Sequence, residues 1–526
     1  MFFGKERMKL GLVEHLKRNM AAAALNSLMK MLFPFLNRTL FLWVMGPAYL
    51  GLNSLFWSIL GVLSLAELGF GTAVVSAMYK PVAEDNRKLL CAYLCFYRTL
   101  YRWVGIAIFG VGLCLLPFLR YLVHGTVPAD VNLHLLYFIH LTNTAVSYLL
   151  FSYRGAVLRA YHRNDVENNI RTGVSAAQYL AGFAILWLTR NYYGYVLCTV
   201  FFTVAQNLLI LRHSQRLFPE ILPEGDLPDY LRSKIKEDVT YIFMHRVGGA
   251  ITGSMGNLLI SAYLGLVAVA AYGNYYYVVT AAGGVVWIAY HSMNSGFGNC
   301  IHTESREKSF EIFMKFSRLV GIVILWCAAM MAALYQPFLH EWTRCVHGMV
   351  RHPLTAFLMV LYFYLLQSRQ VLLSIKTSAR LWRPDRWKPI VAGAANLLLS
   401  FLFIIYLPES YKLDGVIFAT IVTMGGIQFP WEAHVVFSNL FNGKQARVYW
   451  RFQAEFLGLA VALCLFTWGV AALIPKWGFT GVIVKAVVAA LFAGGVLAAY
   501  FKQDVLEVMK KVFPGARKEE EVPQKK

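Results

Sequence analysis

Four basic side chains, Lys30, Arg38, Arg246 and Lys485, fall inside long apolar stretches of this 526-residue chain. A Lys or Arg at the centre of an apolar span costs ~2.5–3.5 kcal/mol on insertion scales, so each requires an acceptor or a route to water. An anion is the natural complement, because phosphate oxygens accept charge-assisted hydrogen bonds and offset the desolvation of the cation. At 100° per residue Asn26, Lys30 and Asn37 lie within about 40° of one another, and Arg246 and Asn257 within about 20°. Arg38 is about 80° from Lys30. These six residues are candidates for one polar, cationic lining that receives an anionic cargo. Structural pairing or snorkelling is the plain alternative for each cation, and snorkelling is the expectation for Lys485, near the end of its stretch.

Three further residues could do chemistry. Glu67 sits ~25 Å along its apolar stretch at 1.5 Å per residue, where a carboxylate could hold a coupling proton or sodium ion, or pair with a neighbouring base. Arg98 and Arg102 begin another stretch and could admit an anionic headgroup, although a basic helix end is ordinarily a contact with anionic lipid. His245 and His291 are isolated, no HExxH occurs, and the eight cysteines contain no CxxC pair. No catalytic residue, metal site or cofactor is therefore expected.

The elements that must position these residues follow from composition. With 58% hydrophobic and only 15% charged residues, and a mean hydropathy of +0.52, the chain could not cover itself in water. Fourteen stretches are long and apolar enough to span a bilayer: 19–43, 50–78, 102–123, 133–151, 170–189, 193–211, 237–261, 265–298, 319–338, 354–372, 389–407, 414–435, 452–473 and 478–500. The predicted fold class is all-α, a polytopic membrane protein. With the N-terminus inside, 39 Lys and Arg fall on the cytoplasmic side and six on the other, which predicts that both termini are cytoplasmic. That split accounts for most of the +21 charge and removes the need for nucleic acid as a partner.

Between the sixth and seventh stretches, Pro219 to Pro228 is proline-rich and locally acidic, and reads as a linker. Tyr49-Leu50-Gly51-Leu52 recurs as Tyr263-Leu264-Gly265-Leu266, each expected at the outer hairpin of its half. The expected organisation is a six-helix lobe 1–218, a cytoplasmic linker 219–236, a second lobe 237–442, and two added helices with a basic tail in 443–526.

The strings Leu50-Gly51-Leu52-Asn53-Ser54-Leu55, Leu63-Ser64-Leu65-Ala66-Glu67-Leu68-Gly69-Phe70-Gly71 and Met78-Tyr79-Lys80-Pro81-Val82-Ala83-Glu84 resemble the signature region of bacterial polysaccharide-repeat (Wzx-type) flippases. These belong to the multidrug/oligosaccharidyl-lipid/polysaccharide exporter superfamily. Arg246-Val247-Gly248-Gly249 and Asn257 to Leu266 extend the resemblance, as do Glu304-Ser305-Arg306-Glu307-Lys308 and the Phe310-Glu311-Ile312-Phe313 that follows. It implies a MATE-like fold of about fourteen helices and a place in the bacterial plasma membrane. It also implies transfer of undecaprenyl-diphosphate-linked oligosaccharide to the outer leaflet by alternating access, with a glycan polymerase as partner and proton or sodium coupling. The family often has an acid before the asparagine of its seventh helix. Here the pair is Gly256-Asn257, which removes that acid as a coupling group.

A peptidoglycan-precursor lipid flippase and a multidrug exporter share this fold and remain alternatives. The exporter of cations would favour carboxylates in its cavity. A membrane glycan polymerase or ligase would carry a sizeable outer catalytic loop, whereas the longest outer connection, near 339–353, is short, so a non-enzyme is expected.

Overall fold

The computed structural model describes residues 32–64, 70–125, 127–343, 346–379, 381, 384–475 and 478–502, with side chains except at 70, 72, 236–253, 289 and 291–303. The described residues are all-α, without a strand. In chain order they form α1 (Leu32–Val44), α2 (Pro47–Leu63), α3 (Phe70–Ala83), α4 (Arg87–Leu115), α5 (Leu133–Leu149) and the short α6 (Gly155–Ala160). There follow α7 (Asn164–Thr189), α8 (Tyr192–Leu217), α9 (Asp229–Leu264), α10 (Leu266–Thr303), α11 (Arg306–Thr343) and α12 (Pro353–Ser378). The chain continues through α13 (Lys388–Tyr406), α14 (Lys412–Thr423), α15 (Phe429–Asn439), α16 (Gly443–Ala472) and α17 (Gly478–Tyr500).

Eight helices among the described residues are long and apolar enough to cross a membrane, nine if α5 and the segment Ser152–Ala160, bent by 44°, count as one. The protein is an integral membrane protein. Its exposed side chains agree with a hydrocarbon solvent: Trp103, Trp187, Leu188 and Phe466 stand outward, and only helices satisfy their own backbone there.

Local sequence sets the helix starts. Asn86, Asn132 and Asn191 each accept a backbone N–H in the first turn of α4, α5 and α8, and Asn442 forms a capping box with Gln445 at α16. The expected stretch 50–78 is occupied by two helices, α2 and α3, and Glu67 lies outside the described residues. The stretch 414–435 is also interrupted, by a π-helical turn, Met424–Gln428, between α14 and α15. Gly425 and Gly426 give latitude there, and Pro430, lacking an N–H, cannot continue the ordinary ladder.

The chain forms two compact units, Met1–Ala270 and Ala271–Lys526. In the first, α4 packs on α5, α7 on α8, α5 on α8, and α9 on α2 and α3. In the second, α11 packs on α12, α16 and α17, and α13 on α14.

The repeated tetrapeptide proves to be out of structural register. Gly265 is itself the turn between α9 and α10, at φ 84° and ψ 175°, whereas the turn before α2 is Gly46, at φ 95° and ψ 175°. Gly46 is thus the backbone counterpart of Gly265, both held where an L side chain is strained. Gly51 has a different task. A Cβ there would come 2.1 Å from the Leu266 carbonyl oxygen, so its bare backbone admits the start of α10.

The linker also differs from a free tether. Arg154 Nη1 donates to the Ile221 carbonyl at 2.7 Å, Phe218 stacks on Tyr161 at 4.2 Å, and Glu220 pairs with Arg87. Ile221 and Leu227 are buried in a core with Leu90, Leu94 and Val157. Apolar side chains at these two positions fasten a segment whose prolines and acids suggested solvent.

Gly51→Val should therefore lower stability by about 1–3 kcal/mol, the range for overpacking. Gly110, whose Cβ would meet nothing within 4 Å, is the control. Thermal unfolding of the detergent-solubilised chain should show a lower midpoint for Gly51→Val and little change for Gly110→Ala.

Candidate functional site

The expected polar lining is described in part. Lys30 and Asn26 lie outside the described residues, and α9 carries Arg246 at a position whose side chain is likewise outside them. The others are placed within the Met1–Ala270 unit. On α1, the Asn37 amide donates to the Tyr195 hydroxyl of α8 at 3.0 Å. Its neighbour Arg38, half-buried, directs Nη2 to the Ala270 carbonyl of α10 at 2.9 Å. Asn257 of α9 donates to Ser58 Oγ of α2 at 2.8 Å.

Asn37 and Arg38 are adjacent in sequence and diverge to different helices, and Asn257 binds a third. Each of the three side chains is engaged by the protein itself. Aromatic groups surround Asn37: Phe41 meets the rings of Tyr192 and Tyr195 edge-on at 5.2 and 5.1 Å, and Tyr192 lies 3.5 Å from the Asn53 oxygen. Phe41 and Tyr192 are themselves buried, so these rings pack the core beside Asn37.

Arg98 and Arg102 are separated by their surroundings. Arg98 on α4 is half-buried, with Nη2 3.8 Å from Cys95 Sγ, and its Nε is buried without an acceptor. Arg102 is exposed, beside the outward Trp103, 68% exposed, and both arginines lie within α4, which begins at Arg87, rather than at its start as expected.

The Ala271–Lys526 unit contains a site that the sequence reading missed. Glu432 of α15 is fully buried. It accepts Arg369 Nε at 2.9 Å and Nη2 at 2.8 Å, a two-pronged pair, and Lys388 Nζ at 2.5 Å. Lys388 also reaches Asp385 at 2.9 Å, and Lys376 pairs with the same carboxylate. Three helices, α12, α13 and α15, are joined by five buried charges. The signal was present: Glu432 is an acid inside the stretch 414–435, with Arg369 inside 354–372. Counting Arg369, Lys376 and Lys388 as loop charges hid it.

A second correction concerns Lys485. It does not snorkel; it is 7% exposed, and its Nζ donates to the Ala471 carbonyl at 2.9 Å in the last turn of α16. A helix C-terminus carries partial negative charge, and the Ala471 carbonyl, which also accepts the Ile474 N–H at 3.3 Å, lies in that last turn, which favours a cation there. No group of three or more potential metal ligands occurs among the described residues.

Comparison with known proteins places this geometry. No protein-family profile and no curated protein matches the chain. Solved structures do. A lipid II flippase, MurJ, in an inward closed conformation aligns with a TM-score of 0.60 at 14% identity, covering 91% of this chain and 98% of that one. An inward-facing multidrug resistance MATE family transporter of the MOP superfamily gives 0.57 at 14% identity, covering 78% and 94%. The MATE multidrug transporter DinF-BH, solved as a complex, gives 0.56 at 12% identity, covering 82% and 96%. The fold is that of the MATE and MurJ transporters. It carries the all-α, MATE-like class expected from the sequence.

Removing the Glu432 carboxylate would leave Arg369 and Lys388 as buried cations. Glu432→Gln should destabilise the protein by about 3–5 kcal/mol, the usual cost of breaking a buried pair. Surface Arg451→Gln, which breaks an exposed pair with Glu455, should cost less than about 1 kcal/mol. Thermal unfolding midpoints of the two variants check the contrast.

Proposed function

We propose that this chain is a flippase that carries an undecaprenyl-diphosphate-linked oligosaccharide from the cytoplasmic to the outer leaflet for export of a cell-surface polysaccharide. One observation supports this reading over drug export: the chain continues past α15 into α16 and α17, packed on α11. The lipid II flippase structure covers 91% of the chain, whereas the two multidrug transporters cover 78% and 82%. The longer match to the flippase of a lipid-linked cargo therefore favours that class of cargo over a drug.

In this reading 1–218 and 237–442 are the two lobes, 219–236 connects them, and Lys30, Arg38 and Arg246 neutralise the diphosphate while Asn26, Asn37 and Asn257 receive sugars. Arg38 currently holds a neutral carbonyl, and a guanidinium exchanges that acceptor for a phosphate with a gain in hydrogen-bond strength. Arg102 and Arg98 meet the headgroup first. Glu67 is the candidate for proton or sodium coupling. The headgroup crosses as access alternates, while the polyprenyl tail stays in the hydrocarbon. A peptidoglycan-precursor lipid is the second reading, favoured by the extent of the match to the lipid II flippase. Its diphosphate chemistry is the same.

The test is a complementation assay in cells depleted of the chain, with folded yield monitored for each variant. Wild type should clear a lipid-linked glycan from the cytoplasmic leaflet. Arg38→Gln should slow clearance about tenfold or more, as loss of a charge-assisted contact implies. Lys30→Gln with Arg246→Gln should abolish it. Normal export by the double variant overturns the cationic cavity. The lipid that accumulates distinguishes a polysaccharide repeat from a peptidoglycan precursor, and restored drug resistance without accumulation would identify an exporter.

A further inference from the structure

A cavity of about 630 Å³ lies within the Ala271–Lys526 unit, between α11, α12, α16 and α17. Its size is that of a small-ligand pocket. Alanines make the space: Ala332 and Ala333 on α11, Ala356 on α12 and Ala460 on α16 all line it. The mouth is formed by Val461, Leu465, Phe357 and Trp468, all exposed, with Trp468 at 59%. In a membrane such a mouth opens on lipid chains.

Lys485 contradicts the apolar character of this lining. Among the described lining residues it is the charged one, more than nine-tenths buried. An ammonium has three N–H donors, and its acceptor among the described residues is the single Ala471 carbonyl. Half a negative charge at a helix end compensates a whole buried cation incompletely, so burial of Lys485 remains costly until an anion arrives. The anion must bring apolar surface to fill a pocket of this lining. Charge and shape together specify an amphiphile with one acidic head.

We propose that this cavity binds an acidic glycerophospholipid from the surrounding bilayer, with Lys485 Nζ on the phosphodiester and an acyl chain between α12 and α16. The match of charges selects this source. One ammonium balances one phosphodiester, whereas a diphosphate carries more charge than the described lining can neutralise. The binding seals α16 and α17 to the bundle through a lipid that is not transported. It goes beyond the cargo assignment, and it stands or falls without any measurement of export.

Native mass spectrometry of the full-length chain in detergent, titrated with phosphatidylglycerol or with phosphatidylcholine of the same acyl chains, tests the proposal. Wild type should hold one phosphatidylglycerol about tenfold more tightly than phosphatidylcholine, because the choline ammonium of the latter already neutralises the phosphodiester that phosphatidylglycerol presents with a net charge. Lys485→Met should remove that preference, and Lys485→Arg should keep it. Val461→Trp fills the mouth without touching the ammonium and should abolish retention of both lipids. Equal retention of the two lipids by wild type, an unchanged preference in Lys485→Met, or undiminished binding in Val461→Trp would each overturn the site. Recovery of a polyprenyl diphosphate in place of glycerophospholipid would overturn it as well.

Discussion

Buried charge must be matched inside the molecule where water is absent, and the Glu432 carboxylate is the place where this constraint organises most structure. Arg369 reaches it from α12 and Lys388 from the start of α13, so three helices meet on one acid. The π-helical turn just before α15 gives the backbone a local register change ahead of that acid. In low dielectric the pair is worth more than on a surface, and the loss of one member leaves the other uncompensated. The Met1–Ala270 unit solves the same problem with a different acceptor. Arg154 is buried and spends its guanidinium on the Ile221 carbonyl, which ties the segment after α8 to the helices before it. Glu167 is buried between Arg159 and Arg171.

The described cations differ in the acceptor each one holds. Arg154, Arg369, Lys376 and Lys388 are paired within their own unit by carboxylates or by a carbonyl that the fold supplies. Lys485 has a helix-end carbonyl beside a cavity, and Arg38 reaches a carbonyl of α10. A cation matched by a carboxylate gains little by exchanging it for a ligand, since desolvation has already been offset. A cation that exchanges a neutral carbonyl for an anion gains a full charge pair.

Hydropathy made the fold class legible because a bilayer imposes both a length and an apolar face on every span. Asn86 and Asn442 were local signals for helix starts that hydropathy passed over, so the stretches 102–123 and 452–473 begin inside α4 and α16, which start at Arg87 and Gly443. Register and pairing were not legible. Tyr-Leu-Gly-Leu matched in letters while Gly46 and Gly265 matched in backbone, because a positive φ is a property of the turn and leaves no tetrapeptide mark. The Pro219 to Pro228 segment reads as a tether by composition, yet Ile221 and Leu227 are sufficient to bury it. Asn37, Arg38 and Asn257 were correctly marked as polar groups on apolar helices, but which helix each one faces depends on packing. Glu432 was overlooked because its partners are 44 and 63 residues away in sequence.

This last point changes the meaning of the charge of +21. Arg154, Arg159, Arg171, Arg369, Lys376 and Lys388 all belong to the 39 cations assigned to the cytoplasmic side, yet each is bound by a group of its own unit. Their pairing is compatible with a cytoplasmic origin. The positive-inside bias acts on loops while helices insert, before tertiary structure gives any cation its partner. A residue can therefore direct insertion first and become part of a buried pair afterwards. Two selective pressures place Lys and Arg at the same helix ends, and counting charges cannot separate them. Only the identity of the final acceptor does so.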